Sequence, residues 1–436
     1  MSKKKKNIDE LLNEALVLEE EQPYKIPENW VWVKFDSVIK ISSNRATSVK
    51  QKDYEEVGIP VIDQGRKLIS GFTNKQESVY TGELPVIIFG DHTKCLKWVD
   101  FEFAQGADGT KILKPLEHLY PKYFYYLLNV VNLPDKGYSR HYKYLRDVVL
   151  PIPPIHEQKV ISEKVEHFLN KIEEAQQLIE EAKETLELNK RHIIDATFLG
   201  MFSLNKRDRT QDYYGFIWGQ KNLSDICEIR GGIQKTPKRK PIRDFYPYLR
   251  VANVYRDCLK LDEIEYFELT DVELEKWKLE PQDLLIIEGN GSIKEIGRSA
   301  IWNGEIENCV HQNHIIRCRP KDNVDSSFIS LFLNSTFGRK QMMEKASSSS
   351  GLHTLSVKKL SSISIPLPSL NEQKCLVQKV NKLVYKVDQS LNEVDNVNKI
   401  IQGLKQSILS KAFKGELCTS DPNDEPAIEL LKSILQ

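Results

Sequence analysis

Leu150-Pro151-Ile152-Pro153-Pro154-Ile155-His156-Glu157-Gln158-Lys159 returns 215 residues later as Ile365-Pro366-Leu367-Pro368-Ser369-Leu370-Asn371-Glu372-Gln373-Lys374. Each copy opens a long heptad-patterned run, and each run ends in Phe-x-Gly, at Phe198 and Gly200 and again at Phe413 and Gly415. No insertion separates the copies. Proline disfavours helix in the residue before it, so each Pro-x-Pro segment reads as an extended entry to the helix that follows. Glycine supplies the permissive backbone with which a chain leaves a helix. One chain thus carries two similar helices and, before each, a dissimilar block. It is a pseudo-dimer.

The heptads are the clearest secondary-structure signal. In the first copy Ile161, Val165, Phe168, Ile172, Ala175, Ile179, Ala182, Leu186, Asn189, Ile193 and Ala196 follow spacings of four and three. In the second, Leu376, Val380, Leu383, Val387, Ser390, Val394, Val397, Ile401, Leu404 and Ile408 keep the same register. So long a series of a and d positions predicts a coiled-coil seam. A helix of about 40 residues extends roughly 60 Å at 1.5 Å per residue. Neither could bury its seam alone, and matched length and register favour pairing within the chain over two outside partners. With a block of chain between them, the pairing is expected to be antiparallel.

The chain of 436 residues can hold two or three domains. Lys plus Arg and Asp plus Glu number 62 each, so the net charge is zero. That argues against an indiscriminate polyanion binder without excluding nucleic acid, because acidic helices such as Glu173 to Glu187 can offset basic faces elsewhere. Seven scattered cysteines form no Cys-x-x-Cys pair, so neither a disulfide framework nor an ordinary zinc ribbon is suggested. Met1-Ser2-Lys3-Lys4-Lys5-Lys6 is followed by no apolar core, and no stretch approaches eighteen apolar residues. A soluble, cytoplasmic protein is expected, with no membrane contact.

The two blocks match at their edges. Trp32, Phe35, Val38 and Ile41 echo Trp218, Leu223, Ile226 and Ile229. Leu84 to Phe89 and Leu284 to Ile287 read as buried strands, and Tyr123 to Asn129 and Phe328 to Asn334 as aromatic-rich helices. Between these anchors the sequences diverge. The expected class is α+β: two α/β domains and two long antiparallel coiled-coil helices in a pseudo-two-fold internal repeat. The expected divisions are an N-terminal helix 1–24, a first domain 25–153, a central helix 154–200, a second domain 201–368, a C-terminal helix 369–417 and a tail helix 418–436. The two terminal helices share an Ile-x-x-Leu-Leu-like core and read as one region split by the chain ends, the second following the Asp421-Pro422 turn.

Catalytic signatures are missing. There is no P-loop, and Gly289-Asn290-Gly291 lacks the third glycine and the context of a dinucleotide fingerprint. No Asn-Pro-Pro-Tyr-like tetrapeptide of an amino-methyltransferase occurs; Pro153-Pro154 has only Ile neighbours. Cys309, His311, His314 and Cys318 are four possible zinc ligands within ten residues. Their spacing fits no standard metal loop, and Ile315-Ile316 inside it suggests a strand, so no metal is assigned. His92, in Gly90-Asp91-His92-Thr93-Lys94, reads either as a ligand-facing turn with Lys94 or as a turn whose Asp91 satisfies backbone donors.

Nucleic-acid signals are better supported. Tyr138-Ser139-Arg140-His141-Tyr142-Lys143-Tyr144 interleaves cations with aromatics, and Gly231 to Lys240 is a basic loop carrying Gln234, Lys235, Lys238 and Arg239. Such loops offer cations to phosphates and side chains to base edges. Ser347 to Ser350 with Gly351 reads as a flexible polar loop in the corresponding place of the second block. The other candidate contacts are Arg66, Lys67, Arg230, Asn253, Asn290, Ser292, Lys294 and His353.

With these elements laid out, the chain resembles the specificity subunit of Type I restriction-modification enzymes over essentially its whole length. The likeness rests on the paired Pro-x-Pro-x-x-x-Glu-Gln segments and on the heptad helices ending Ala196-Thr197-Phe198-Leu199-Gly200 and Lys411-Ala412-Phe413-Lys414-Gly415. Phe103 to Thr110, including Asp108, with the Phe89 to Lys94 loop looks like one recurring class of target-recognition domain. The resemblance implies a non-catalytic subunit whose two target-recognition domains each read half of a split, asymmetric duplex DNA site. It further implies that the helices set the spacer and dock two methyltransferase subunits, with restriction and translocase subunits joining. S-adenosylmethionine and ATP would then belong to those partners, and no cofactor to this chain. Three other readings stay open: a self-sufficient enzyme of unfamiliar motif, a scaffold that binds proteins rather than DNA, and a specificity subunit whose partner fuses nuclease and methyltransferase.

Overall fold

The computed structural model describes residues 7–42, 47–107, 109–137, 139–202, 218–243, 245–349, 351–417 and 424–435. Asp108, Tyr138, Ser350, Cys418 and the Asp421-Pro422 turn lie outside them. The chain divides into two compact units: Met1–Ile179 with Asn396–Gln436, and Glu180–Asp395.

In the first unit the Pro-x-Pro entry is half of a two-stranded ladder. Val149–Ile152 pairs antiparallel with Val31–Lys34, setting Trp32 opposite Pro151. So short a ladder leaves proline an outer edge on which its missing N–H costs nothing. A four-stranded sheet runs in the order Ile39–Ile41, Thr110–Pro115, Val86–Gly90, Leu96–Val99. A three-stranded sheet runs Gly71–Thr73, Ile59–Ile62, Ala104–Gln105, its first pair antiparallel and its second parallel. Val86 to Gly90 is buried on both faces, which is why that strand reads as an unbroken apolar run rather than an alternation.

The second unit repeats this plan strand for strand. Gln220–Asn222 pairs with Ser364–Pro366. The four-stranded sheet runs Cys227–Gly231, Ile315–Pro320, Asp283–Ile287, Ser299–Trp302. The three-stranded one runs Glu265–Glu268, Phe245–Leu249, Val310–His311, again antiparallel then parallel. The internal repeat therefore persists through the stretches where the sequences diverge. Among the described residues one sheet has no counterpart in the first unit: Gly289–Asn290, Leu352–Thr354, Ser347–Ser349. It corrects the reading of Ser347 to Ser350 as a flexible loop. The turn at Gly351 folds Ser347–Ser349 back onto Leu352–Thr354, so backbone pairing orders a stretch with no apolar side chains.

The heptad runs are single helices, Ile155–Phe198 and Leu370–Phe413, of 44 residues each. They pack together antiparallel within each unit. In the first, Ile161 and Val165 near the start of one share a core with Leu409, Ala412 and Phe413 at the end of the other. In the second, Phe198 shares a core with Leu376 and Val377, while Lys183 reaches Asp395 at 2.9 Å and Lys190 reaches Asp388 at 2.7 Å.

The repeated Glu-Gln acts as a latch. Gln158 Nε2 donates to Pro153 O at 2.9 Å, and its Oε1 accepts from Tyr120 N at 2.9 Å. Gln373 does the same with Pro368 O and Asp325 N, both at 2.9 Å. Glu157 is buried and accepts from Asn29 Nδ2 at 2.6 Å and Trp30 Nε1 at 2.8 Å. The far ends match too. Gly200 and Gly415 both have positive φ; Gly200 N donates to Thr197 O and Met201 N to Ala196 O, with Gly415 N to Ala412 O and Glu416 N to Lys411 O in the second copy. This double bond pattern closes a helix only where the residue after the cap can turn left-handed.

The seam is buried unevenly. Ile161, Val165, Ile172, Leu376 and Val380 are buried. Ile179, Leu186, Ile193, Leu383, Val387, Val394, Ile401 and Ile408 are half-buried, whereas Phe168, Val397 and Leu404 are exposed, against their reading as seam residues. Two helices cover only a narrow stripe of each other, and an unsupercoiled helix drifts about 20° per heptad from a strict seven-residue repeat. Burial deepens where the sheets add a third wall. The terminal helices Ile8–Ala15 and Ala427–Leu435 pack on each other in the first unit. No helix among the described residues is long and apolar enough to cross a membrane.

Candidate nucleic-acid interface

In the first unit, four loops meet beside the ends of the two sheets. Asp91 N donates to Gly109 O and His141 N to Asp91 O, both at 2.7 Å. Tyr142 N donates to Asp91 Oδ1 at 2.8 Å, and His92 N to Gln64 Oε1 at 3.1 Å. The turn after Val86–Gly90 is thereby tied to the loops 63–70, 106–109 and 139–141. Asp91 satisfies two backbone donors at this junction, His141 N with its carbonyl and Tyr142 N with its carboxylate.

The side chains selected from sequence separate into two groups. Arg66, Lys67, Arg140 and Lys143 are exposed with no ion pair among the described residues; Lys143 lies 4.7 Å from the Tyr144 ring centre. His92 is half-exposed, and Lys94 meets Asp135 at 3.6 Å. Tyr142 packs its ring against Phe35 and Phe89. His141 is a correction. It is 0% exposed with Nδ1 3.1 Å from Asp91 O, because the loop folds it under the turn rather than outward.

In the second unit the corresponding loops are again joined by backbone. Ile233 N donates to His311 O and Asn313 N to Ile233 O, both at 2.9 Å, and Glu288 N donates to His314 O at 3.0 Å. Asn290 sits in register with His353, and its Oδ1 accepts from Ser292 N at 2.9 Å. Gln234, Ser292 and Lys294 are exposed. Lys235 pairs with Glu265 at 2.8 Å and Arg239 with Glu273 at 2.9 Å; Arg230 donates to Lys276 O at 2.9 Å and lies 3.4 Å from Glu228. Exposed pairs such as Lys235–Glu265 and Arg230–Glu228 contribute at most about 1 kcal/mol, so a phosphate can displace the carboxylate. The Lys238 side chain lies outside what is described. Asn253 is the second correction: it is buried, and its Nδ2 donates to Lys260 O at 2.8 Å and Glu263 O at 3.0 Å.

The four candidate metal ligands do not converge. Cys309 lies in one core with Trp302, Cys318 in another with Phe328, and His314 Nδ1 is exposed, 3.2 Å from Glu288. His311 is wholly buried, with Nδ1 2.9 Å from Ile315 O. No group of three His, Cys, Asp or Glu able to hold a metal gathers among the described residues. Burial pushes the His311 imidazole from about 6.5 down to about 4. Its folded pKa is depressed, so the stability it contributes is complete above pH 6.5 and is lost as pH falls toward 4. A shift of that size corresponds to about 3 kcal/mol. Urea unfolding of the second unit at pH 7.5 and pH 4.5 should show this loss in the wild type and much less of it in His311→Gln. Equal losses in both would remove His311 as the cause.

Sequence reading missed Gln64, Asp63 and Lys97. Asp63 accepts from Gly65 N at 2.7 Å and Tyr54 Oη at 3.1 Å, and also from Ser70 Oγ. Burial pushes its carboxyl up, but these hydrogen bonds and the Lys97 charge outweigh burial and hold it below the ordinary carboxylate range. A signal existed in Leu96-Lys97-Trp98-Val99. Strand alternation puts Lys97 on the same face as Val99, where a cation needs a partner.

Two units of one topology, each offering polar loops beside its sheets, define a tandem recognition protein. The family model for the Type I restriction modification DNA specificity domain matches residues 27–184 and 217–400, and the chain belongs to that family. It is 28% identical over 270 residues to the Type I restriction enzyme EcoKI specificity subunit of Escherichia coli K12. That match covers 62% of this chain and 57% of the relative, so the chain spans little more than half the length of that protein. With the EcoBI specificity subunit of Escherichia coli it shares 24% identity over 424 residues, covering 90% of this chain and 87% of the other. The fold resembles a solved chain of a type I restriction-modification system, studied for its complex assembly and conformational transition. The TM-score is 0.66 at 17% identity, covering 90% of this chain and all of that one.

Proposed function

We propose that the chain is the sequence-specific DNA-binding subunit of a Type I restriction-modification complex, and that each unit reads one half of a bipartite, asymmetric duplex site. The observation that carries this reading is the repeat of three sheets in the same order and sense, capped by loops of unlike chemistry. Same frame and different loops suit two different half-sites. The paired helices set the spacer and dock two modification subunits, with restriction and translocase subunits joining them in the cytoplasm. The chain itself catalyses nothing; S-adenosylmethionine and ATP bind to the partners. Phosphate contacts place each unit on the duplex and base-edge contacts select the sequence.

Competition binding with the chain assembled on its modification subunits tests this. The expected result is at least a thousandfold preference for one duplex sequence over random duplex, within the range typical of specific DNA binders. Equal affinity for all duplexes, or methyl transfer by the chain alone, contradicts it.

A further inference from the structure

Leu96–Val99 alternates half-buried and buried positions, and the buried ones are Lys97 and Val99. A lysine on the inner face of a strand must find acceptors or give up its charge. Lys97 is 5% exposed, and its Nζ donates to Asp63 O at 2.7 Å and Leu68 O at 3.4 Å, 3.6 Å from the Asp63 carboxylate. Those two carbonyls stand near opposite ends of the loop joining Ile59–Ile62 to Gly71–Thr73. One ammonium therefore ties down both ends. Between the two tied ends stand Arg66 and Lys67, both exposed and, like Arg140 and Lys143, without an ion pair among the described residues. Stability alone does not explain this arrangement, since apolar replacement of a buried ion pair is often neutral or stabilising. Loop geometry does.

The second unit has nothing equivalent at this rung. Lys97 lies opposite Ile88 on the central strand, and the matching pair is Ala300 opposite Leu285. Ala300 sits in an apolar core.

We propose that Lys97 is a positioning residue that fixes the 63–70 loop as the base-reading element of the first unit, acting through Arg66 and Lys67. This rests on the reading of the chain as a two-part DNA-recognition subunit. Three variants of the full chain, assembled with its modification subunits, test it: Lys97→Met, Lys97→Met with Asp63→Asn, and Arg66→Ala. The double variant leaves no unpaired buried charge, and Arg66→Ala removes no hydrogen bond or ion pair among the described residues. Each competes the cognate duplex against duplexes altered in one half-site or the other. The expected result is a loss of discrimination of about 10- to 100-fold in one half, the same half for all three, with the other half read as in the wild type. Full discrimination by Arg66→Ala, or by either folded Lys97 variant, overturns the proposal; so does equal loss in both halves. A wild type that shows no half-site discrimination sinks the two-part reading itself, a result distinct from these.

Discussion

Phe198→Ala is expected to cost the second unit about 3–5 kcal/mol, the usual price of removing a fully buried aromatic ring. Phe198 is 0% exposed, and its ring meets Phe328 at 5.5 Å and Phe332 at 5.1 Å, both edge-on. It joins the end of the first long helix to the aromatic helix Ser326–Asn334 and to Leu376 near the start of the second. Little nearby can fill the gap, because its neighbours are held by a sheet on one side and by the Gln373 latch on the other. Hydrogen exchange should report faster exchange at Phe328 to Leu333 and at Leu376 to Val380, with Val86 to Gly90 of the first unit unchanged. Phe413→Ala should mirror this in the first unit, where the Phe413 ring stands 5.5 Å from Tyr123. A cost under about 1 kcal/mol at either position would mean that the Phe-x-Gly ends do not anchor the helices.

The second large effect concerns length. Removing residues 184–190 and 388–394 together takes one heptad from each helix at matched positions. Lys190 and Asp388, which pair with each other, leave together. Seven residues turn a helix by nearly two full turns, so the remaining seam stays on the same face within about 20°. The helices shorten by about 10 Å, close to three base-pair steps at 3.4 Å each. If the helix pair sets the spacer, duplexes with the gap shortened by about three base pairs become the preferred ligand in competition binding. Removing 184–190 alone shifts one helix against the other by a heptad, leaves Lys183 as the one lysine for both Asp388 and Asp395, and should abolish specific binding. Unchanged spacer preference with full affinity in the matched deletion rules out a ruler.

Both effects were partly legible in the amino-acid sequence, because they depend on local periodicity. The Pro-x-Pro and Phe-x-Gly repeats, the heptads and the buried runs at Leu84 to Phe89 and Leu284 to Ile287 declare themselves through spacing and apolar character alone. The candidate interface did not, since a polar side chain carries no mark of which way tertiary structure turns it. His141 and Asn253 looked like surface contacts and are buried by hydrogen bonds to Asp91, Lys260 and Glu263, at separations no local pattern reports. Ser347–Ser349 looked flexible because its order comes from backbone pairing with Leu352–Thr354. Phe168, Val397 and Leu404 follow the heptad and still face outward, because two helices alone cannot cover every apolar position that the pattern offers.

A chain that reads a duplex in two unlike parts leaves a two-part mark on the DNA its complex modifies. Mapping methylated bases across the DNA of a host that carries the chain with its modification subunits tests it most directly. The expected result is one bipartite, asymmetric motif with a gap of fixed length. A continuous or palindromic motif, or methylation that is unchanged when the chain is absent, would contradict it.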